Sequence, residues 1–287
     1  MRVLHLDLGR EMRGGQWQTL RLVRGLREQG HEAVLLARFD GSFRLSRLPA
    51  QRRGCDIVHT HDARGHTLAA LLPGGPPLVV ARRVAFPVRQ GPASRWKYAR
   101  AAHFVAVSEF VRARLREAGV NDERISVVCD GVEVPDEIAP PGDPPRILAL
   151  ANADPGKGGA LVREAARRAG VTVHFTRDLE RDIRGAAMLL YLTDEEGLGS
   201  AALVALASAV PVVASRVGGL PEAVEDGVTG ILVENAADSV AAAIRRLVEA
   251  PGEARGMGLA GRERVAARFT TAIMVEKTLA VYRKVLS

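Results

Sequence analysis

At 287 residues the chain has room for two compact domains, each able to bury a core. Its composition, 47% apolar and 25% charged, is that of an ordinary soluble protein, and the 4% of aromatics argues against the base-stacking surfaces used on single-stranded nucleic acid. The net charge of +7 comes almost wholly from arginines spread along the chain, so a massed DNA-binding arm and a nucleic-acid partner are not expected; codon bias, anionic substrates and an anionic membrane face all fit.

Two cysteines, Cys55 and Cys129, lie far apart in apolar settings and suit buried free thiols in a reducing compartment. No segment has the apolar length of a membrane span. Arg2 to Leu6 enter a strand at once and leave no room for a signal peptide, so a cytoplasmic protein is expected, with peripheral contact at an inner membrane face as its variant.

Met1 to Leu8 reads as a strand, residues 9–15 as a glycine-bearing loop, 16–29 as a helix with Leu20, Val23 and Leu26 inward, and 33–36 as a second strand. This is one β-α-β unit with a glycine loop at the ligand-binding end of a parallel sheet, without the dinucleotide spacing Gly-x-Gly-x-x-Gly. Asp56 to His61 is the next strand, and His61 at its end is a candidate site residue. Leu78 to Ala81 ends at Arg82-Arg83-Val84; Phe104 to Val107 leads into Ser108, which can cap a helix over 109–118. The last strand of this half, 125–128, stops at Asp130-Gly131-Val132.

Residues 135–145 hold five prolines, one glycine and three acids without periodicity, and read as a linker that divides the domains. Beyond it, Arg146 to Leu150 starts a second sheet, and Lys157-Gly158 precede a helix over 159–169. A strand over 171–175, a helix over 179–187 and a strand over 188–192 lead to the acidic turn Asp194-Glu195-Glu196. Gly197 and Gly199 bracket Leu198, and two such glycines let a backbone approach a ligand closely. Ser200 to Ala209 reads as a helix apolar on nearly every face, whose free N–H groups point at that turn and favour an anion, phosphate above all. Pro211 stops it; a strand over 212–214, the Gly218-Gly219 loop and a further strand follow, then helices over 239–249 and 255–287. No Asp-x-Asp and no His/Cys spacing suits a divalent metal ion, so none is expected.

The stretch from Asp194 to Val233 resembles the donor-site signature of retaining GT-B glycosyltransferases of the group 1 or family 4 type. The matching pieces are Glu196-Gly197-Leu198-Gly199, Pro211 to Ser215, Gly218 to Glu222, and Asp226-Gly227-Val228-Thr229-Gly230-Ile231-Leu232-Val233. Gly14 and Gly15, Gly30-His31-Glu32, the Asp56–His61 strand and Lys157-Gly158 are similar to further motifs of that family. The Arg82-Arg83-Val84 and Trp96-Lys97-Tyr98 segments look like those of members that build lipopolysaccharide core or lipid-linked glycans. The resemblance implies two Rossmann-like, doubly wound parallel-sheet domains around a central cleft: an acceptor domain over 1–135, a linker over 136–145 and a donor domain over 146–271, with helix 272–287 packing back on the first. It implies metal-independent, retaining transfer from a nucleotide sugar such as a UDP-, GDP- or ADP-sugar to a glycan or lipid-linked acceptor, without a separate cofactor. Glu196 and Lys157 take the catalytic positions, Lys157 facing the diphosphate and Glu196 the sugar hydroxyls. Gly14, Gly15, Asn152, Gly197, Leu198, Gly199, Ser200 and Val204 take donor-binding positions, and His61, Arg82 and Arg83 acceptor or cleft positions.

The chain departs from the family pattern in five places, one of them Asp130 where an asparagine is usual. Val204 stands where a second glutamate, eight positions after the first, grips the ribose; Asn152 replaces an arginine on the diphosphate. Losing one charged hydrogen bond costs roughly 1.5–3 kcal/mol, or about 10- to 150-fold in donor affinity. An arginine replaces the histidine often found near Arg82, and the span from Lys157 to Glu196 is about half the usual length, so a strand-helix pair is missing. Arg10, Arg13, Arg82 and Arg83 are candidates for compensation. The alternative is a catalytically silent sugar-nucleotide or glycan-binding relative with the same fold.

Overall fold

A computed structural model describes residues 1–151 and 155–287. Two compact units divide the chain: Met1–Gly131 with Thr271–Ser287, and Val132–Thr270. The first alternates β1 (Arg2–Asp7), α1 (Gly14–Glu28), β2 (Glu32–Ala37), α2 (Leu48–Arg52), β3 (Ile57–Thr60), α3 (Ala63–Leu71), β4 (Leu78–Arg82), α4 (Pro92–Ala99), β5 (His103–Ala106), α5 (Glu109–Glu117) and β6 (Ile125–Val127). The second runs β7 (Arg146–Leu150), α6 (Gly159–Ala169), β8 (Val173–Thr176), α7 (Leu179–Asp182), β9 (Ala186–Tyr191), α8 (Ser200–Ala207), β10 (Val212–Ser215), α9 (Leu220–Ala223), β11 (Gly230–Val233), α10 (Ala237–Glu249) and α11 (Pro251–Arg268). The last helix, α12 (Thr271–Leu286), belongs to the first unit.

Both sheets are parallel and doubly wound. The first has the order β2-β1-β3-β4-β5-β6 and the second β11-β10-β9-β7-β8. Strand order therefore reverses between β1 and β3 in one unit and between β7 and β9 in the other. At such switch points the connections leave to opposite faces and open a crevice at the carboxyl ends of the strands. Covered on both faces, the strands read as nearly unbroken apolar runs. In the first unit Val3, Ile57, Val79 and Val105 pack under Leu22 and Leu26 of α1 and Val275 and Leu279 of α12. A Cβ on Gly25 would meet Val275 Cγ2 at 2.6 Å, which shows how closely α12 crosses α1. In the second unit Ile147, Met188, Leu190 and Val213 pack under α6 and α10.

Several local expectations need correction. Gly14 and Gly15 are the first residues of α1 and not loop. The reason is the anchoring of the first turn: Arg13 N donates to Gln16 Oε1 (3.3 Å), and Gln16 Nε2 donates to Asp7 Oδ1 (3.1 Å). The helix expected over 179–187 stops at Asp182, because the apolar run from Ala186 pairs with β7 from Arg146 onward, and sheet pairing overrides local helix propensity. The helix α8 ends at Ala207, where Ala209 turns left-handed (φ 57°). Helix α2 was not anticipated, α11 starts earlier than expected, and Cys55 and Cys129 are half-buried and form no disulfide. No helix among the described residues is long and apolar enough to cross a membrane.

Candidate functional site

The switch point of the second sheet carries the acidic turn. The chain leaving β9 makes Thr193 to Gly199, and the chain leaving β7 returns through Lys157. Hydrogen bonds pin the two segments together. Thr193 Oγ1 donates to Gly156 O (3.2 Å), and Asp194 N donates to the same carbonyl (2.9 Å). Ser215 Oγ accepts from Thr193 N (2.9 Å) and donates to Asn235 Oδ1 (2.5 Å), while Asn235 Nδ2 donates to Thr193 O (3.0 Å).

On this frame Lys157 and Glu196 meet, with Lys157 Nζ 3.1 Å from Glu196 Oε2. The same oxygen accepts from Tyr191 OH at 2.6 Å, and Oε1 accepts from Gly197 N at 3.0 Å. The lysine side chain is 32% exposed and the glutamate 17%, so the pair is reachable from solvent yet shielded enough for its charges to interact appreciably. Gly218 makes the turn possible. At φ 57° a Cβ there would lie 2.0 Å from Glu196 O, and Gly219 N donates to that carbonyl at 3.0 Å. Leu198 is buried, Ser200 is the first residue of α8, and Gly199 caps that helix in a left-handed conformation (φ 103°) without a side-chain cap. Val204 lies half-buried on α8 and offers no acceptor. Asn152 lies outside the described residues. Tyr191 was missed in the sequence; its only signal was a polar aromatic five residues before Glu196 in an otherwise apolar strand.

The first unit builds a different arrangement at its own switch point. Asp7, at the end of β1, is fully buried and accepts from Thr19 Oγ1 (2.9 Å), Gln16 Nε2 (3.1 Å) and Gly9 N (3.2 Å). Its carboxylate is thus tied to the side chains of the first turns of α1. Asp62 caps α3 and also accepts from Leu8 N (3.0 Å), tying β1 to β3. Arg83 Nε donates to Asp130 Oδ1 at 3.1 Å, and the two side chains are only 13% and 7% exposed. Arg82 turns elsewhere, towards Tyr98 OH (3.2 Å) and Phe86 O.

A histidine cluster that no sequence spacing signals forms here, because β1 brings His5 beside His59 and His61. His5 and His59 are register partners, and one ring nitrogen from each of the three lies within 4.8 Å of the others. Arg83 NH1 stands 3.1 Å from His61 Nδ1, His61 Nε2 stands 2.9 Å from His5 Nδ1, and His59 Nδ1 stands 2.6 Å from Tyr282 OH of α12. A guanidinium only donates, so His61 Nδ1 accepts, and its Nε2–H donates to His5 Nδ1. Burial above all, with Arg27 and Arg83 nearby, holds His5 down to about 3, and burial likewise holds His59 and His61 well below the usual histidine range. All three are neutral at pH 7. Neutral imidazoles can ligate a metal, but His61 has both ring nitrogens engaged and a guanidinium against it, so the trio fits a divalent ion poorly.

Two family models match, one in each unit: Glycosyltransferase Family 4 over residues 39–135 and Glycosyl transferases group 1 over residues 148–250. The chain is a GT-B protein of the group 1, family 4 glycosyltransferase type. Among curated relatives, alpha-maltose-1-phosphate synthase of Mycolicibacterium smegmatis is 42% identical over 117 residues, which span 38% of this chain and 30% of that one. D-inositol 3-phosphate glycosyltransferase of Kribbella flavida is 38% identical over 128 residues, spanning 42% of this chain and 30% of the relative. The matches thus take in less than a third of the length of these relatives. Anabaena HepE, solved in complex with UDP, superposes with a TM-score of 0.81 at 14% identity, covering 99% of this chain and 100% of that one.

Proposed function

We propose that this chain transfers a sugar from a nucleotide-sugar donor to a phosphorylated or lipid-linked acceptor, with retention, without a metal, and in the cytoplasm against an inner membrane face. The observation that carries the reading is the convergence of Lys157 and Glu196 at the switch point of the second sheet, beside the start of α8. An ammonium and a helix N-terminus are suited to the diphosphate, where charge develops as the glycosidic bond breaks. Lys157 pairs with Glu196. An incoming diphosphate competes for the ammonium and frees Glu196 Oε2 to accept from sugar hydroxyls, while Tyr191 and Gly197 N hold the carboxylate in place. In the first unit Arg82 and Arg83 are the candidates for the acceptor, since both ring nitrogens of His61 are already engaged.

Val204 favours a second reading, a sugar-nucleotide-binding protein without transfer, since it cannot grip a ribose. A thermal-shift screen with UDP, GDP and ADP and their sugar conjugates separates the cases. Ligand at 100 times its dissociation constant stabilises by about 2.7 kcal/mol, roughly 5–10 °C for a protein of this size. The expected result is a shift with one nucleotide that is lost in Lys157→Ala, and release of that nucleotide from its sugar conjugate when acceptor is added. A shift without turnover supports the silent reading, and flat curves with every nucleotide overturn both.

A further inference from the structure

Two arginines follow one another at the carboxyl end of β4, and only one of them keeps a nitrogen open. Arg82 NH1 donates to Tyr98 OH (3.2 Å), its NH2 donates to Phe86 O, and its Nε is enclosed without a partner. Arg83 places Nε on Asp130 Oδ1 (3.1 Å) and NH1 on His61 Nδ1 (3.1 Å). Its third nitrogen, NH2, meets no partner among the described residues and is not enclosed. One end of a mostly buried guanidinium thus stays open, in an orientation set by two neighbours.

The two neighbours act differently. Asp130 supplies the counter-charge that a guanidinium only 13% exposed needs. His61 supplies direction without charge. Because a guanidinium only donates, His61 Nδ1 carries the lone pair, and its Nε2–H points at His5 Nδ1, 2.9 Å away. The two rings lie within 12° of parallel, as an N–H···N bond in the ring planes needs. His5 thereby fixes the tautomer; in the other one, an N–H would face the guanidinium. His59, tied to Tyr282 OH at 2.6 Å, packs against His61 with ring centroids 4.3 Å apart. A second carboxylate in place of His61 would also orient Arg83, but it would repel an incoming anion, and a neutral ring does not.

We propose that Arg83 is the anion anchor of the first unit, that its NH2 takes the phosphoryl group of a phosphate monoester, and that the neutral pair His61 and His5 positions it. The proposal rests on the acceptor reading given above, and deepens it by choosing Arg83 over Arg82 and by naming the group bound. His61 and His5 are positioning residues that touch no substrate. Held in one rotamer, the guanidinium has little side-chain freedom left to lose when the anion arrives.

The test is NMR of the arginine Nε–H signals of the full chain, with Arg83 assigned by the signal that disappears in Arg83→Lys. Methyl phosphate is the probe and glycerol the neutral control. Saturable movement of the Arg83 signal is expected with methyl phosphate and none with glycerol. His61→Leu should weaken binding about 3- to 10-fold and broaden the Arg83 signal, as the guanidinium leaves its single orientation. His61→Asn, which keeps an acceptor near the Nδ1 position, should restore both. Tryptophan fluorescence melts check that the first unit is folded in each variant, since Trp17 and Trp96 both lie in it. An Arg83 signal that methyl phosphate leaves unmoved, movement confined to other arginines, or His61→Leu binding as tightly as the wild type would overturn the proposal. Failure of the transfer reading is seen separately, because the nucleotide-induced thermal shift tests the donor site and does not involve Arg83.

Discussion

Acidification from pH 7.5 to pH 5 should remove roughly 6 kcal/mol from the stability of the first unit through one histidine trio, with His66 and His103, each held down to about 4 by burial, adding losses of the same sign. The trio is His5, His59 and His61, buried at 0%, 1% and 7% exposure. In the unfolded chain each takes up a proton as the pH passes below about 6.5. In the folded unit His5 does so only near 3, and the other two are likewise held well below their ordinary value. Through that window the unfolded state binds more protons, so stability falls as the pH falls. At pH 5 each ring that stays neutral contributes a loss of about 2 kcal/mol, against a total of about 5–15 for a typical domain. Both tryptophans, Trp17 and Trp96, lie in the first unit, so urea unfolding followed by intrinsic fluorescence reports that unit alone. Below pH 6 the trio's share of the fall should be about 4 kcal/mol per pH unit, and His59→Phe, which removes one titrating ring, should make the measured slope shallower by about 1.4 kcal/mol per pH unit. The Phe variant should also be less stable at pH 7.5, since Tyr282 OH loses its partner. A wild-type free energy constant to within about 1 kcal/mol between pH 7.5 and pH 5 would show that the rings are charged in the folded unit and would refute the reasoning.

Three further outcomes follow from the geometry. Tyr191→Phe removes a 2.6 Å hydrogen bond to a carboxylate and should lower transfer by about 10- to 150-fold, with the melting temperature shifting far less than activity in parallel assays. Gly218→Ala places a Cβ 2.0 Å from Glu196 O at a left-handed φ, and should cost roughly 2–5 kcal/mol in chemical denaturation together with loss of the nucleotide-induced shift. Arg83→Met removes the cation beside the buried Asp130 carboxylate and should destabilise the first unit by about 3–5 kcal/mol, seen in the same fluorescence melts; the double variant Arg83→Met, Asp130→Leu should recover part of that loss.

Much of the architecture is written locally. Apolar runs such as Leu78 to Ala81 and Met188 to Tyr191 are too short and too continuous for surface helices, and they alternate with amphipathic segments ended by glycine, so two parallel α/β sheets follow from the pattern alone. The Ser108 cap and the start of α8 after Gly199 were legible for the same reason: caps and turns are chosen by residues within one helical turn. Where local propensity and sheet pairing conflicted, at Ala186 and Ala187, the sequence pointed to helix and the pairing with β7 prevailed.

The sequence by itself determined the residue types at each strand end: Lys157, Glu196, His61 and Arg83 are named by position in a repeated strand–turn–helix pattern. Only the tertiary structure decided which of them meet. Lys157 and Glu196 are 39 residues apart and touch because strand order reverses between β7 and β9. His5 reaches His59 and His61 because β1 lies beside β3 in one register, and Tyr282 comes from 223 residues beyond His59 to cap the row. Strand order and register depend on how whole faces are buried against helices, a property of the assembled core that no local spacing encodes.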